Sequence, residues 1–434
     1  MSKVLVIGSG AREHALAWKL SRSFKVGKVY VAPGNPGMTG SLKIPPHVTE
    51  GVVETIDDFL PLEIERLIAF AINERISLTV VGPEAPLATG IVDEFEKMNL
   101  PIFGPSAKAA EIESSKAYAK NLMKNHGIPT AKFEVFSDIG EAKSYLNNTA
   151  PPYVIKADGL AEGKGVVIAN NIDEASAALS EMLVEGRFGE AGKSVVIEEF
   201  LEGREFSYMT LVNGRNVFPL LPARDYKRAL DGNQGPNTGG MGAYSPVPDI
   251  GAKEQQEALD KILHPIANAL VEEGRPYKGL LYAGLIATKN GIKVIEFNAR
   301  FGDPETGVVL PLLESDLYVV LTDFLAGKAP TLTWSKRYCV GIVLASKGYP
   351  GKYEKGHIIS GLEDLSPETD VFFSGVSQSA GGLATNGGRV LLAAKKSGSL
   401  VLARNELYEE IEKIKCDNLF YRTDIAKSLE AVSP

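Results

Sequence analysis

The first hundred residues alternate short apolar runs with loops of glycine and proline, and this alternation constrains the fold more than any other feature. Residues 4–7, 29–31 and 78–81 are apolar and mostly β-branched, as in buried strands. Each run is followed by a loop of small residues, at 8–10, 33–37 and 82–86. Residues 57–73 have helical periodicity. The alternation predicts a parallel α/β sheet with ligand-binding loops at the carboxyl ends of its strands.

Beyond this sheet the pattern changes twice. We expect an amino-terminal α/β domain over residues 1–105, followed by an α+β region over 106–327 that contains strands around a glycine-rich hairpin. Residues 328–434 have short strands and a helical segment near 406–415, which predicts a third, smaller α+β domain. At 434 residues the chain exceeds one ordinary core, so about two to four domains are expected.

Net charge and cysteine content indicate which partners and which cellular compartment to expect. The formal net charge of −8 argues against a nucleic-acid partner, because such binding needs basic surface. Cys339 and Cys416 lack the spacing of metal ligands, so we expect a reducing compartment without a disulfide framework. The amino terminus predicts no signal peptide, and apolar stretches such as 279–287 are too short for a bilayer. We therefore expect a cytoplasmic protein without a membrane partner.

The first glycine loop invites a dinucleotide interpretation, which the sequence does not support. The spacing Gly8-x-Gly10 is followed by Glu13 where a third glycine is required. The second predicted strand ends at 32–34 without the acidic residue that binds a nicotinamide ribose, so a dehydrogenase is disfavoured. A tight turn and a phosphate or sugar site at a helix N-terminus remain, and we favour the latter. Glu84, after a later strand, would accept sugar hydroxyls.

A second glycine loop begins at Lys156 and contains Gly159, Gly163, Lys164 and Gly165. It is not a P-loop, because no hydroxyl residue follows Lys164 and the next segment is a strand rather than a helix. A strand–loop–strand hairpin would instead lay backbone amides over a triphosphate, with its lysines countering the charge. The alternative is a plain hairpin, which the concentration of lysine and glycine disfavours.

The strand predicted at 291–298 ends in Glu296 and Asn298, with Phe297 on the opposite side. A carboxylate and an amide oxygen at a strand end suit Mg²⁺. An edge strand with a polar face explains these two residues equally well. The following Arg300 and Asp303 favour a site. Residues 198–201, at the end of another predicted strand, would present backbone groups to adenine.

Seven motifs together resemble one family. They are GSGAREHA at 8–15, APGN at 32–35, VGPEAPL at 81–87, IKADGLA at 155–161, GPNTGGMGAY at 235–244, EFNARFGDPE at 296–305 and TNGGRV at 385–390. Over nearly its whole length the chain resembles the ATP-grasp ligases and, among them, the glycinamide ribonucleotide synthetase family. Gly307 departs from the family pattern, where glutamine is common.

The resemblance implies a reaction. The family joins glycine to 5-phosphoribosylamine with ATP, through glycyl phosphate, and releases glycinamide ribonucleotide, ADP and phosphate in de novo purine biosynthesis. Glu296 and Asn298 would hold Mg²⁺ or Mn²⁺, and Arg300 would stabilise the transferring phosphoryl group. The expected partners are these small molecules, and we expect a monomer.

The resemblance also implies further site residues and a mobile hairpin subdomain over about 128–192. Asp225 would bind the ammonium group of glycine, with Lys227 as a second catalytic side chain. The expected ATP-binding residues are Lys116, Lys156, Gly163, Lys164, Gly165, Glu198, Glu199, Phe200, Leu201 and Glu205. The expected substrate-binding residues are Gly8, Gly10, Glu13, Glu84, Asn237, Thr238, Gly239, Gly240, Met241 and Arg389.

Two alternatives remain at this point. One is another ATP-grasp enzyme of nucleotide synthesis, which would carboxylate or formylate a ribonucleotide amine. The other is a catalytically silent nucleotide-binding or scaffold protein, which we would expect to lack Lys156, Glu296 or Asn298, and all three are present.

Overall fold

The structure is a computed structural model that describes residues 1–39, 44–45, 51–160 and 165–427. The chain forms two compact units. The first comprises Met1–Gly104, Phe218–Pro248 and Arg300–Pro434, and the second comprises Pro105–Val217 and Asp249–Ala299. The predicted domain borders at 105 and 327, and the subdomain over 128–192, stay predictions. Among the described residues, no helix has the length and apolar character needed to cross a bilayer.

The amino-terminal sheet of the first unit is parallel, as predicted. Its strands lie in the order Val53–Thr55, Val26–Pro33, Ser2–Gly8, Leu78–Val81 and Ile102–Phe103. The helices of this part are Ala11–Ser21, Pro36–Met38 (3₁₀), Ile64–Glu74, Glu84–Ala88 and Ile91–Lys97. The predicted helix over 57–73 is wrong at its start, because Pro61 disfavours helical backbone at the residue before it.

The rest of the first unit is built on an antiparallel sheet. Its strands lie in the order Arg224–Asp225, Gly242–Ser245, Tyr338–Ser346, Arg389–Ser397 and Thr369–Phe373, and Leu419–Phe420 pairs with the central one. Two hairpins are formed by Arg228–Leu230 with Gln234–Asn237 and by Val376–Ser379 with Gly382–Thr385. The helices are Asp231–Asn233 (3₁₀), Thr306–Val309, Leu310–Leu312 (3₁₀), Leu317–Leu325, Leu362–Asp364 (3₁₀) and Leu400–Ile411. The last helix begins earlier than the predicted 406–415, because the Ser399 hydroxyl caps its start.

The second unit contains two antiparallel sheets. One has the strands Arg204–Asn213, Lys278–Thr288 and Gly291–Asn298 in that order, and the strand Asn216–Pro219 contains the border between the units. The other has the order Phe133–Phe136, Val195–Glu199, Tyr153–Ala157 and Val166–Ala169. The helices are Ala107–Ser114, Lys116–Asn125, Ile139–Asn147, Ile172–Leu183, Gly189–Gly192 (3₁₀), Ala252–Ala258, Leu259–Leu263 (π) and His264–Glu272. The mixed α/β and α+β architecture confirms the predicted fold class.

An irregularity interrupts the strand Gly291–Asn298. Gly284 of the neighbouring strand pairs with Glu296, whereas Leu285 pairs with Val294, so Ile295 has no residue opposite it. This is a β-bulge, in which one extra residue shifts the alternation of side chains. Before the bulge Ile292 and Val294 are buried, and after it Phe297 is buried. We call this feature the Ile295 bulge.

Candidate active site

The Ile295 bulge determines where Glu296 and Asn298 point. In a regular strand these residues would share the buried face of Ile292 and Val294. The extra residue moves both to the opposite face, where each is half-buried, while Phe297 takes the core position. A carboxylate and an amide oxygen therefore lie two residues apart on one face at a strand end. They are the hard oxygen donors that Mg²⁺ prefers.

A buried chain of charges reaches the same bulge within the second unit. Lys156 Nζ donates to the backbone oxygen of Ile295 at 3.2 Å and pairs with Glu198 Oε1 at 2.9 Å. Glu198 Oε2 accepts from Lys120 Nζ at 2.7 Å, and the same ammonium donates to Thr130 Oγ1 at 2.7 Å. The three charged side chains are at most 4% exposed. Lys156 is therefore held between a carboxylate and the strand that carries the Glu296–Asn298 pair.

Burial changes the ionisation of one lysine in this chain of charges. It lowers the pKa of Lys120 to about 8, although the Glu198 carboxylate favours the charged form and opposes the shift. Glu198 is predicted from the sequence to lie near adenine. In the structure both of its carboxylate oxygens face lysine ammonium groups, which makes it the link between Lys120 and Lys156.

Lys116 joins the same group of charges. Its Nζ donates to the backbone oxygen of Gly159, at the start of the glycine loop, at 2.9 Å. Burial lowers the pKa of Lys116, Glu296 opposes that shift, and Lys156 adds to it. The structure thus brings together two predicted phosphate-binding lysines and one predicted metal ligand. Gly163 and Lys164 lie outside the described residues, and Gly165 accepts from the backbone N–H of Ala157 at 2.8 Å.

The remaining predicted nucleotide contacts lie along the strand Val195–Glu199 and the residues after it. Glu199 Oε1 accepts from Lys132 N at 3.0 Å and from Lys293 Nζ at 3.1 Å, and neither residue belongs to the buried chain of charges. Phe200 is 40% exposed, Leu201 is half-buried and Glu205 is exposed. The contact of this strand end with adenine stays a prediction.

In the first unit, Glu13 folds back over the glycine turn. Gly10 N donates to Glu13 Oε2 at 2.6 Å, and Arg12 Nε donates to Glu13 Oε1 at 2.5 Å. A Cβ at Gly8 would lie 2.6 Å from Glu13 Cγ, and one at Gly82 would lie 1.9 Å from Glu13 Oε1. The Glu13 side chain therefore occupies the space that a larger residue at Gly8 or Gly82 would need. The N–H of Gly10 already bonds to a protein carboxylate, which the sequence pattern does not indicate.

Glu84 and Arg300 are brought together, although they lie far apart in the sequence. Glu84 Oε2 is 3.5 Å from Arg300 Nε. Burial alone would raise the pKa of Glu84, but Arg300 and Arg12 outweigh it and hold that pKa below its usual value. A predicted sugar-binding carboxylate and a predicted phosphoryl-stabilising cation are thus direct neighbours in the first unit.

Arg389 anchors the glycine-rich stretch. Its Nη1 pairs with Asp303 Oδ1 at 3.1 Å and donates to the backbone oxygens of Gly239 at 2.5 Å and of Asp303 at 3.2 Å. Gly240 has φ +111°, and a Cβ there would lie 2.4 Å from Pro304 Cδ. The loop can approach Pro304 this closely only with glycine at that position. Arg389 thus has a structural function in addition to its predicted contact with substrate.

Residues 225–227, which we call the acceptor segment, lie beside the glycine-rich stretch. Tyr226 N donates to Gly242 O at 3.0 Å, and Met241 N donates to Tyr226 O at 2.8 Å. Both the backbone N–H and the hydroxyl of Thr238 donate to the backbone oxygen of Lys227 at 2.8 Å. Asn237 pairs with Arg228 in the adjoining hairpin. The predicted catalytic residues Asp225 and Lys227 and the predicted substrate-binding stretch therefore form one connected element.

Sequence reasoning missed several residues that hold these sites. Glu113 Oε2 accepts from Ala299 N at 2.7 Å and fixes the chain just after Asn298. Asp158 Oδ1 accepts from Ala117 N at 2.7 Å and so ties the glycine loop to the helix of Lys116. Lys120 carries one available signal, because it lies four residues after Lys116 and hence on the same helix face. The two acids carry none, because their partners are distant in sequence.

Comparison with known proteins gives the class of the chain. Residues 114–306 match the family model described as phosphoribosylglycinamide synthetase, ATP-grasp (A) domain. Residues 2–113 and 339–428 match the N-domain and C-domain models of the same series. A solved biotin carboxylase of Campylobacter jejuni shares the fold, with a TM-score of 0.73 and 14% identity over 98% of each chain. The chain is an ATP-grasp enzyme.

Closer relatives narrow the class. A phosphoribosylamine–glycine ligase of Halalkalibacterium halodurans is 54% identical over 422 residues, which cover 97% of this chain and 96% of that protein. The solved phosphoribosylamine–glycine ligase of Thermotoga maritima is 35% identical, with a TM-score of 0.79 over 98% of this chain and 100% of that one. The chain belongs to the phosphoribosylglycinamide synthetase family, which confirms the resemblance found in the sequence.

Proposed function

We propose that the chain is an ATP-dependent carboxylate–amine ligase that joins glycine to 5-phosphoribosylamine in de novo purine biosynthesis. The products are glycinamide ribonucleotide, ADP and phosphate. The identity of 54% with a phosphoribosylamine–glycine ligase over nearly the full length supports this reaction and disfavours a carboxylating or formylating enzyme. Retention of Lys156, Glu296 and Asn298 supports catalysis over silent nucleotide binding.

The observation that supports the site most strongly is the Ile295 bulge with Lys156 on its carbonyl oxygen. A nucleoside triphosphate with its divalent ion needs cations for phosphate oxygens and oxygen donors for the ion. Lys116 and Lys156 would supply the first, and Glu296 with Asn298 the second. The residues proposed to line the rest of the ATP site are Gly163, Lys164, Gly165, Glu198, Glu199, Phe200, Leu201 and Glu205.

Mg²⁺ or Mn²⁺ fits the donors of this strand end. Glu296 and Asn298 offer oxygen ligands on one face, and among the described residues no three His, Cys, Asp or Glu side chains form a metal cluster. Two protein ligands are typical of an ion that is otherwise bound by phosphates and water. When bound, the ion neutralises phosphate charge and orients the phosphates.

The remaining residues would act on the two organic substrates. A glycine carboxylate oxygen attacks the γ-phosphorus and ADP leaves, which gives glycyl phosphate. The amine of phosphoribosylamine then attacks the carbonyl carbon, loses a proton and expels phosphate. Asp225 would bind the ammonium group of glycine, Lys227 would counter the charge of the acyl phosphate, and Arg300 would stabilise the transferring phosphoryl group.

The ribosylamine site is proposed in the first unit. Glu13 and Glu84 would meet its hydroxyl groups. The other residues proposed for this pocket are Gly8, Gly10, Asn237, Thr238, Gly239, Gly240, Met241 and Arg389. We also propose a cytoplasmic monomer, which the two free cysteines support with respect to compartment and which analytical ultracentrifugation tests with respect to assembly.

A substrate-omission assay tests the reaction. ADP and phosphate are expected only when glycine, ATP, Mg²⁺ and freshly prepared phosphoribosylamine are all present. ADP release at an undiminished rate without glycine contradicts the proposal. Turnover with bicarbonate or formate in place of glycine favours the rival ATP-grasp reactions.

Isotope transfer tests the intermediate separately. Glycine labelled with ¹⁸O in its carboxylate is expected to deliver one labelled oxygen to each phosphate released, because that oxygen bridges carbon and phosphorus in glycyl phosphate. Mass spectrometry of the phosphate provides the measurement. Unlabelled phosphate from a reaction that still forms the amide would exclude an acyl phosphate.

A further inference from the structure

Arg422 is buried at 1% exposure and is the bulkiest fully buried side chain among the described residues. Its guanidinium binds Asp424 through two hydrogen bonds of 2.7 Å each, one from Nε and one from Nη2. Such a bidentate pair has a fixed geometry. A buried charge held this rigidly has the properties of a positioning group.

The other contacts of Arg422 lead to the hairpin that continues the acceptor segment. Nη1 donates to the backbone oxygen of Arg228 at 3.0 Å, and Nη2 donates to Asn233 Oδ1 at 3.0 Å. The guanidinium carbon lies 4.9 Å from the centre of the Tyr226 ring, within the range of a cation–π contact. Arg422 therefore touches Tyr226 of the acceptor segment, the first residue of the hairpin and the last residue of its turn.

The residues after Arg422 repeat this pattern. Gly232 N donates to Asp424 Oδ2 at 2.8 Å, and Thr423 N donates to Asp231 Oδ1 at 2.8 Å. Ala426 N donates to the Tyr226 hydroxyl at 2.9 Å. We call residues 422–426 the Arg422 clamp. Its backbone and side-chain groups bind the hairpin and Tyr226. All of these contacts lie within the first unit.

Tyr226 connects the clamp to the proposed chemistry. Its backbone N–H and oxygen bond to the glycine-rich stretch, while its ring and hydroxyl bond to the clamp. Asp225 ends the strand Arg224–Asp225, and Tyr226 and Lys227 follow it directly. Because Tyr226 lies between Asp225 and Lys227, holding its backbone, ring and hydroxyl in place limits the positions that both flanking residues can take. Loss of the clamp would free Tyr226 and spread the positions of both flanking side chains.

We propose that Arg422 is a positioning residue for glycine, because it fixes the acceptor segment that carries Asp225 and Lys227. The inference rests on the proposed function, since glycine is the substrate concerned. It assigns Arg422 no contact with substrate. Loss of positioning should weaken glycine binding selectively, because the guanidinium of Arg422 contacts the acceptor segment and its hairpin.

Steady-state kinetics of Arg422→Met, Arg422→Lys and Tyr226→Phe test the proposal. Arg422→Met is expected to raise KM for glycine about tenfold while KM for MgATP changes less than about twofold. Arg422→Lys keeps the charge but loses the bidentate geometry, so its KM for glycine should lie between those of wild type and Arg422→Met. Tyr226→Phe keeps the ring and loses the bond to Ala426, and a rise of about twofold to threefold is expected.

Lys395→Met is the matched control. Lys395 is a buried cation of the same unit, 6% exposed, and it donates to Thr369 Oγ1 at 3.4 Å. Its loss should lower the midpoint of thermal unfolding without changing KM for glycine. Equal rises in the glycine KM of Lys395→Met and Arg422→Met, or equal changes in the KM of all substrates, would reduce Arg422 to a structural role and overturn the inference.

Two further comparisons keep the test decisive. If Arg422→Met does not fold, the test relies on Arg422→Lys and Tyr226→Phe. An unchanged KM for glycine in both variants rejects the inference. In an Asp225→Asn background, Arg422→Lys should add little to the loss of glycine affinity, because the group it positions is already changed. Wild-type turnover that does not require glycine would instead reject the proposed function itself.

Discussion

Two regions of the molecule each place a buried cation behind a proposed reaction site, but they do so with different chemistry. In the second unit, Lys120 and Lys156 share the carboxylate of Glu198, and the chain of charges ends on the Ile295 bulge. In the first unit, Arg422 is paired with Asp424 and bonded to backbone, amide and ring groups of the acceptor segment and its hairpin.

This difference predicts which kind of change would disturb each site most. A lysine buried beside another lysine has a lowered pKa and can lose its proton at moderately alkaline pH, as the pKa of about 8 for Lys120 indicates. An arginine keeps its charge over the same range. We therefore expect the nucleotide region to respond to pH and to the loss of one charge, and the acceptor segment to respond to altered geometry.

The largest effect is expected at Glu296, which follows the Ile295 bulge where the buried chain of charges ends. Glu296→Ala removes the only carboxylate of the proposed metal pair and should lower kcat/KM by about 10³-fold. The protein should remain folded, as circular dichroism would show. Lys289→Ala, in the exposed turn before the same strand, is the control and should retain activity. Near-normal turnover of Glu296→Ala would remove Glu296 from the site.

Replacing Lys120, the first lysine of the buried chain of charges, tests how these charges contribute to stability. Lys120→Met leaves the buried Glu198 carboxylate with Lys156 alone, and the free energy of unfolding should fall by about 3–5 kcal/mol. Lys120→Arg keeps the charge and should lose less. Urea denaturation measures both. A loss in Lys120→Met no greater than in Lys120→Arg would show that the charge of Lys120 is not what stabilises this region.

The pH dependence distinguishes the two regions directly. Above about pH 8 Lys120 loses its proton, Glu198 is no longer shared, and KM for MgATP should rise severalfold. Lys120→Arg should shift this rise to higher pH. KM for glycine should show no matching rise over the same pH range. Identical alkaline limbs in wild type and Lys120→Arg would assign the change to another group.

Stability should follow pH in the opposite sense to activity. The pKa of Lys120 is lower in the folded protein than in the unfolded chain, so between about pH 8 and its ordinary value of 10.5 the unfolded chain binds more protons. The contribution of Lys120 to the free energy of unfolding therefore rises with pH over this window. Chemical denaturation at several pH values, compared with Lys120→Arg, measures it.

The smallest effect is expected from one hydroxyl group that bonds to the acceptor segment. Thr238→Val removes a hydroxyl that donates to Lys227 O and accepts from Gly240 N. The loss of about 1 kcal/mol corresponds to about a fivefold rise in KM for glycine. Thr89→Val, which removes a hydroxyl bonded only to its own helix, is the control. No change in Thr238→Val would show that the Arg422 clamp alone fixes the segment.

Local sequence patterns predicted the parallel sheet. They also indicated that neither glycine loop is a standard nucleotide-binding motif. The strand Tyr153–Ala157 does return as Val166–Ala169, so a hairpin replaces the helix of a P-loop, as predicted. Helix boundaries were less predictable. Residues 57–63 lie outside the helix, because a proline rule outweighs periodicity there.

Packing explains features that a sequence pattern cannot. At Gly307 a Cβ would lie 2.2 Å from Leu392 Cδ2, so a side chain of a distant strand occupies the space that a larger residue would need. At Gly82 the Glu13 side chain occupies this space. In both cases the contacting residue is distant in sequence, which no local pattern reports.

The sequence by itself determined the fold class, the family and the residue types of the site, because alternation of side chains and spacing of motifs are local properties. Only the tertiary structure decided which face Glu296 and Asn298 occupy, since the Ile295 bulge arises from pairing with the strand Lys278–Thr288. The same holds for the partners of Lys120 and Arg422. Buried charges need opposite charges or hydrogen bonds, and folding brings those partners from distant parts of the chain.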